Sequence, residues 1–392
     1  LSSLSVLLAG PWLLPFLALR RLAGRSPNLS DLPPAGGPVV SVIIPARNEA
    51  ATIETVARSV LSTRYQRMEL LVVDDRSTDG TRDAVERLAR RDVRLRLIAG
   101  EELPPGWFGK QWACFQGYRA ARGDVLLFTD ADTRHEPDLL GRAIAALDAT
   151  GADLLTVAPR QASITLWERL VMPQIWVLLG YRFHPSVVNR ARRLRDVIAN
   201  GQFIMMPRAS YEAIGTHAAV RGDVAEDLAL AQRVWSMGRK LHFAFADRLM
   251  ETRMYRDLGH LIEGWSKNVY LGGRQSYPDE PLRRALVPFA LAGAMLFWLL
   301  PPIVLLISHT RPVPVLTGPA VLASIASAGF WSLISYGMQI PVWYGLGYPL
   351  GALMTLYIIL RSTLRGGRKV EWKERVYNVG RDGGMAGGRE VP

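Results

Sequence analysis

Two aspartates two residues apart, Asp130 and Asp132, follow the apolar run Val125-Leu126-Leu127-Phe128. A short continuous apolar run of this kind reads as a buried strand. Side chains two apart in extended chain point the same way, so both carboxylates can face one point beyond the strand's carboxyl end, where open α/β sheets bind ligands. Two hard oxygen donors suit Mg2+ or Mn2+, which takes its other ligands from phosphates and water. Taken alone, Asp-Ala-Asp is equally an acidic turn after a strand. Three further clusters bear on that choice. Asp74 and Asp75 end a second apolar strand over 69–73; adjacent acids repel unless a partner such as a uracil N–H or a ribose hydroxyl offsets them. Glu226 and Asp227 open a helix running to about Met237. There they either complement the helix dipole or supply a general base, Asp227, held near its ordinary ionised state by the helix end. Gly109 and Lys110 precede a helix over 111–121. That amino end can bind an anion, with Gly109 allowing close approach and Lys110 adding charge; the alternative is an aromatic loop, with Trp107 and Phe108, packed on the sheet.

These groups need a scaffold. Residues 39–44 form an apolar strand ending in Pro45-Ala46-Arg47-Asn48-Glu49. A helix over 50–61 follows, with Asn48 as its cap, although the same loop suits contact with a nucleotide. Asp79 reads as the N-cap of a helix over 81–91, and residues 94–98 make a third strand. Alternating strands and helices with parallel crossovers predict a doubly wound α/β sheet. Further strands fall at 153–157, 198–207 and 241–245, and helices at 137–147 and 208–214. His135 reads as a surface or supporting group, not a metal ligand.

The 392 residues carry 47 Lys+Arg against 35 Asp+Glu, a formal +12. The basic residues form no continuous stripe, which argues against nucleic acid. They flank apolar segments instead: Arg20, Arg21 and Arg25; Arg283 and Arg284; Arg361, Arg365, Arg368 and Lys369. This arrangement fits anionic lipid headgroups. The single Cys114 excludes an intrachain disulfide and a cysteine zinc cluster, and suits a cytoplasm-facing site. Residues 1–19 are apolar with charge after them, which predicts an uncleaved membrane anchor with its amino end outside; at 1.5 Å per residue the span is marginal. Residues 20–38 read as a linker and 39–270 as the sheet domain. The stretch 164–181 is Trp-rich and apolar with internal charges, either interfacial or a core helix. Residues 285–308, 313–335 and 341–360 are each long enough to span a bilayer, with Pro301-Pro302 kinking the first. Three crossings would put the basic tail, 361–392, on the far side from the sheet, against the positive-inside expectation; one segment is then re-entrant or fails to cross.

In combination these motifs resemble the family 2 glycosyltransferases of GT-A fold, a nucleotide-diphospho-sugar transferase architecture whose doubly wound sheet is mixed, over about residues 39–270. The residues that carry the resemblance are Ser41 to Glu49, Val73 to Thr81, Asp130-Ala131-Asp132 and Glu226-Asp227. Gly106-Trp107-Phe108-Gly109-Lys110-Gln111-Trp112-Ala113 is similar to a segment of membrane-bound members that glycosylate hopanoids, carotenoids or ceramide. The Gln-x-x-Arg-Trp of processive members is absent; Gly264-Trp265-Ser266-Lys267-Asn268 stands there, which argues against a polymerase. The resemblance implies an integral protein of the cell membrane with a cytoplasmic catalytic domain, inverting transfer from a UDP-linked sugar, and a lipid hydroxyl as acceptor. It further implies that Pro45, Arg47, Glu49, Asp75, Ser77, Gly109, Lys110 and Asp130 line the donor site. Asp130 and Asp132 would hold the divalent cation, Asp227 with Glu226 the base position, and Trp265 and Lys267 the acceptor or diphosphate side. A polyprenyl-phosphate glycosyltransferase, with Arg190, Arg192 and Arg193 as acceptor pocket, and a non-catalytic membrane scaffold of the same fold are the rival expectations.

Overall fold

Every residue of β1 (Val40–Ala46) is buried, as a strand must be when both faces of its sheet are covered. β2 (Met68–Asp74), β3 (Leu95–Ala99) and β4 (Val125–Thr129) run parallel to it in the order β3-β2-β1-β4. The intervening helices are α1 (Ile53–Leu61), α2 (Thr81–Ala89) and α3 (Gly109–Ala120). β5 (Thr133–His135), β6 (Leu154–Gln161), β7 (Phe203–Pro207) and β8 (Leu241–Thr252) extend the sheet as β4-β7-β6-β8-β5. β7 is antiparallel to both β4 and β6, so the sheet is mixed. The computed structural model describes residues 3–22, 26–278, 280–311, 314–366, 369–372, 375–379 and 385–391.

Alternation along β1 divides the core. Val40, Val42 and Ile44 face one apolar layer with Val56 and Val60 of α1 and with Leu139 and Ile144 of α4 (Leu139–Thr150). Ile43 faces the other, with Ala113 of α3 and Leu230 of α6 (Glu226–Ser236). α3 lies close on the sheet because Gly117 carries no side chain: a Cβ there would sit 2.4 Å from Ile43 Cγ2 and 3.0 Å from Val73 Cγ2.

Asn48 does not cap α1, whose N-cap is Thr52. Asn48 takes a left-handed φ of 52° and its side-chain oxygen accepts the Thr78 N–H instead. Asp79 accepts the Thr81 N–H at the start of α2, although Gly80 occupies the cap position.

α5 (Leu166–Arg182) leaves the end of β6, with a capping box between Thr165 and Glu168, and α7 (Leu258–Gln275) follows β8. Then come α8 (Pro281–Thr310), α9 (Pro314–Gly337) and α10 (Tyr348–Arg365). α8 is one continuous helix through Pro301-Pro302. Among the described residues three segments are long and apolar enough to cross a membrane: Pro281–Thr310, Val315–Gly337 and Val342–Arg365. The N-terminal apolar helical stretch, Ser5–Arg20, is shorter and has a 3-10 turn at Gly10–Leu13. It runs in the same direction as α9, with Ser5 beside Gly318 and Phe16 against Phe330.

α10 lies along the helices that leave the sheet. Gly351 fits against the backbone of Leu170 in α5, and the Ser362 hydroxyl donates to the Ser266 carbonyl in α7. Beyond it, β9 (Lys369–Trp372), β10 (Arg375–Val379) and β11 (Met385–Val391) form an antiparallel sheet in the order β11-β10-β9. Arg375 of β10 contacts Asp75 at the end of β2. The tail therefore packs against the sheet domain, which fits the alternative that one apolar segment is re-entrant or fails to cross.

Filling the Gly117 contact tests the seating of α3. Gly117→Val should lower stability by about 1–3 kcal/mol, the usual cost of overpacking a core, read as a drop in the melting midpoint of detergent-purified protein.

Candidate active site

β4 ends at Thr129, and Asp130 to Asp132 form the turn before β5. A turn, not strand alternation, thus presents the two acids. It is fixed from beneath by a buried polar cluster. Thr129 Oγ1 donates to the Gln202 carbonyl (2.8 Å) and lies 3.1 Å from His135 Nε2, while Thr133 Oγ1 donates to the Asp130 carbonyl (2.8 Å). Burial pushes the His135 imidazole down to about 4, so it supports the turn as a neutral group. It is 4% exposed and no surface residue.

Lys110, in the first turn of α3, joins this turn to the start of α6. Its ammonium is 2.8 Å from Asp130 Oδ1 and 2.7 Å from Glu226 Oε1. Burial would lower the lysine, but the two carboxylates hold it well above its ordinary range. Burial likewise works to raise Glu226; Lys110 outweighs it and keeps Glu226 low. Asp132 has no such partner. Burial, then the charges of Asp130 and Glu49, push it up to about 7. Its Oδ1 is buried without a hydrogen-bond partner. An unpaired buried carboxylate oxygen beside a second carboxylate fits a divalent cation. Among the described residues no cluster of three metal-binding side chains forms, so the remaining ligands would come from phosphate and water.

Asp227 is held by two backbone amides: Gly201 N–H donates to Oδ2 (2.9 Å) and Leu228 N–H to Oδ1 (2.8 Å). These favour the charged form, yet burial first and Glu226 second push Asp227 up to about 6. The helix end therefore does not hold it at its ordinary value, because burial, with the neighbouring Glu226 carboxylate, outweighs the two amides and Lys110. Gly201 is the close approach in this region: a Cβ there would lie 3.1 Å from Lys110 Nζ and 3.2 Å from Asp227 Oδ2. The sequence reading passed over it, although Asn200-Gly201 before a buried strand is a turn signal.

The loops after β1 and β2 are stitched together. Arg47 Nη1 donates to the carbonyls of Asp75 (2.8 Å) and Arg76 (3.2 Å), Asn48 N–H to Ser77 Oγ (3.0 Å), and Glu49 N–H to Thr81 Oγ1 (2.8 Å). Asn48 and Arg76 both adopt positive φ, 52° and 56°; such strain gathers at ligand sites. Pro45 is a buried residue of β1 beneath this loop, paired with Val73. Asp75 is fully buried against Arg375 of the tail. Tyr377, also from the tail, accepts the Gly109 N–H at its hydroxyl (3.2 Å). Neither tail residue was expected; strands this far along the chain, beyond three apolar helices, give no local sign of their partner.

Lys267 lies in the field of Glu226 and Lys110, with burial the main cause of its lowered value. Trp265 is placed elsewhere. Its ring packs near Tyr255 and Trp176, and its N–H meets Met172 Sδ at 3.4 Å. That apolar layer is built from α5 and α7 with Tyr255 and Ile358.

Residues 41–215 match the family model of the glycosyl transferase family 2. A 4,4'-diaponeurosporenoate glycosyltransferase of Staphylococcus haemolyticus is 24% identical over 245 residues, covering 61% of this chain and 63% of the relative. Its counterpart in Staphylococcus aureus is 26% identical over 243 residues, with 61% and 63% covered. The match thus spans less than two thirds of the length of these relatives. Among solved structures, the mannosyltransferase PcManGT from Pyrobaculum calidifontis, in complex with GDP-Man and Mn2+, covers 93% of this chain and 96% of its own, with TM-score 0.51 and 20% identity. That likeness shows a shared GT-A fold.

Removing the bridging cation tests the electrostatics. Lys110→Met leaves Asp130 and Glu226 facing each other, so their pKa values rise in the folded state above the unfolded ones. Stability should fall by about 2 kcal/mol at pH 8, and the deficit should shrink as pH drops and the acids take up protons. Melting midpoints across pH check both signs.

Proposed function

We propose that this chain, a family 2 glycosyltransferase over its matched residues, moves a sugar with inversion from a UDP-linked donor to a hydroxyl of a membrane lipid. The observation that carries the reading is the meeting of Asp130, Lys110 and Glu226 in one ion-paired cluster, with Asp227 beside it across Gly201. Three separate parts of the chain supply these groups at one rim of one sheet.

In this reading the nucleoside lies over the stitched loops at Arg47, Glu49, Asp75 and Ser77. The diphosphate faces the amino end of α3, where Lys110 opposes the charge that builds as the glycosidic bond breaks. Unit charges ~4 Å apart at an effective dielectric of ~20 interact by about 4 kcal/mol, and each 1.36 kcal/mol is about tenfold in rate. A Mg2+ or Mn2+ ion held by Asp130 and Asp132 would neutralise further phosphate charge. Asp227 takes the proton of the acceptor hydroxyl as that oxygen bonds the anomeric carbon, on the face opposite the departing diphosphate. Glu226, kept ionised by Lys110, holds that lysine in place.

The helices support a lipid acceptor. Tyr255, near enough to Asp132 to feel its charge, packs at 6.0 Å on Trp265 within the α5–α7 layer. The cation side of the site thus rests on the layer that also receives α10. The 4,4'-diaponeurosporenoate of the relatives' name is an acid; a carboxylate acceptor would need no base. Loss of activity in Asp227→Asn distinguishes the two.

The same helices support a topology. Leu350, Leu353, Tyr357, Leu360 and Leu364 form an exposed stripe on α10, while Tyr348, Gly351, Thr355 and Ser362 are buried on its other face. This is the pattern of a helix with protein on one face and lipid on the other, and Tyr348 at its start lies near Ser324 and Ser327, midway along α9, as in a re-entrant segment. α8 and α9 then cross as a hairpin, the N-terminal helix crosses beside α9, and the tail stays cytoplasmic with the sheet.

Membranes containing the protein, incubated with labelled UDP-sugars, should yield a labelled lipid by mass analysis. Asp227→Asn should abolish that product while donor binding survives; unimpaired turnover removes Asp227 from the mechanism. Because the base works deprotonated, kcat/KM should fall as pH drops through about 6. Chelation should weaken UDP binding and added Mn2+ restore it, but not in Asp132→Asn. Cysteines at Thr310 and Gly337 test the hairpin: an impermeant maleimide should reach Thr310→Cys from outside and Gly337→Cys only from the side that labels Met237→Cys. Labelling of all three from one side overturns that topology.

A further inference from the structure

β10 brings two side chains to the rim of the main sheet from beyond the last apolar helix. Arg375 donates from Nη1 to Asp75 Oδ2 (2.6 Å) and from Nη2 to Asp75 Oδ1 (3.2 Å). The pair is closed to solvent, with 7% of the Arg375 side chain and 0% of that of Asp75 exposed. Two positions along, the buried Tyr377 accepts the Gly109 N–H at 3.2 Å and packs on Phe108, with 4.4 Å between ring centroids. Gly109 is the first residue of α3, so this amide is one of the open donors at the helix's amino end. One short strand therefore holds both the acid at the end of β2 and the start of the helix that carries Lys110.

We infer that Arg375 is a positioning residue for the donor nucleotide: its guanidinium holds the Asp75 carboxylate, and with it the loop after β2 that carries Arg76 and Ser77, in place on the nucleoside side of the site. The inference rests on the donor site proposed above. A carboxylate buried to this degree keeps its charge only beside a cation that bonds it well. The planar fork of arginine does so through both oxygens and so fixes how the carboxylate and its loop are turned. Lysine is a single point of charge and would leave the carboxylate free to turn. Arg47 does not duplicate this role, since it bonds the Asp75 carbonyl. The rim here mixes acids, Glu49, Asp74, Asp75, Asp130 and Asp132, with the basic Arg47, Arg76 and Lys110. An anionic nucleotide gains from an arginine delivered to it. The membrane helices thereby become part of donor recognition, because α10 sets where β10 begins.

The test is nucleotide affinity of the full chain in lipid nanodiscs with Mn2+, using UDP and GDP as probes. Arg375→Ala should weaken whichever nucleotide the wild type binds by at least tenfold, and Arg375→Lys should recover part of the loss. In an Asp75→Ala background, Arg375→Ala should add no further loss, because the arginine acts through that acid; a role confined to holding the tail together would give losses that multiply. Tyr377→Phe, which keeps the ring on Phe108, should retain the Arg375 effect and shows that the tail is still folded. Equal or tighter binding by Arg375→Ala, as expected if the tail merely covers or blocks the pocket, overturns the assignment, as do multiplying losses. If the wild type binds neither UDP nor GDP, the donor reading itself fails and this inference with it.

Discussion

The site depends on one cation. Lys110 stands between Asp130 and Glu226, acids from separate parts of the chain, with Asp132 and Asp227 beside them. Buried carboxylates this close repel and lose their charge unless something positive is held among them. The lysine is held there by backbone and packing, not by its own flexible stem. α3 is pressed on β1 and β2 at Gly117, and Gly201 leaves the space in which the ammonium sits. Two glycines far apart in the chain are thus as much a part of the electrostatics as the charges.

The arrangement also separates two kinds of acid. Glu226 is paired and stays low, whereas burial raises Asp130 despite the same lysine and pushes Asp132 and Asp227 up to about 7 and about 6. The paired group suits a structural anion; the raised ones suit groups that exchange a proton or accept a cation. Neutral supports lie beneath them. His135 stays uncharged under the Asp130 turn, and burial pushes His217 down to about 3, so neither competes with Lys110 for the acids.

The membrane helices and the sheet form one structure. α5 and α7 are continuations of sheet strands; α10 packs on both, and β10 closes the circuit at Asp75. Tyr270 N–H to Ser362 Oγ (3.0 Å) and Arg361 and Arg365 to Glu263 tie α10 to α7 along its last turns. The buried face of α10 therefore meets protein, and its leucine stripe is left exposed.

By itself the sequence determined the parallel half of the sheet and the acids at its strand ends. Apolar runs such as Val125 to Phe128 must be buried on two faces, and the chain that leaves such a strand must emerge at its end, so local pattern was enough. It also showed where the apolar helices lie, since length and composition decide that. It did not show that β7 runs antiparallel, because a strand buried on both faces reads the same in either direction. Nor did it place Trp265, whose indole is as suited to an apolar floor as to a ligand. The tertiary structure alone decided what touches the acids. Lys110 reaches Glu226 across 116 positions and Arg375 reaches Asp75 across 300. Ion pairs at such separations leave no periodicity or spacing to read; they exist only once packing has brought the two backbones together.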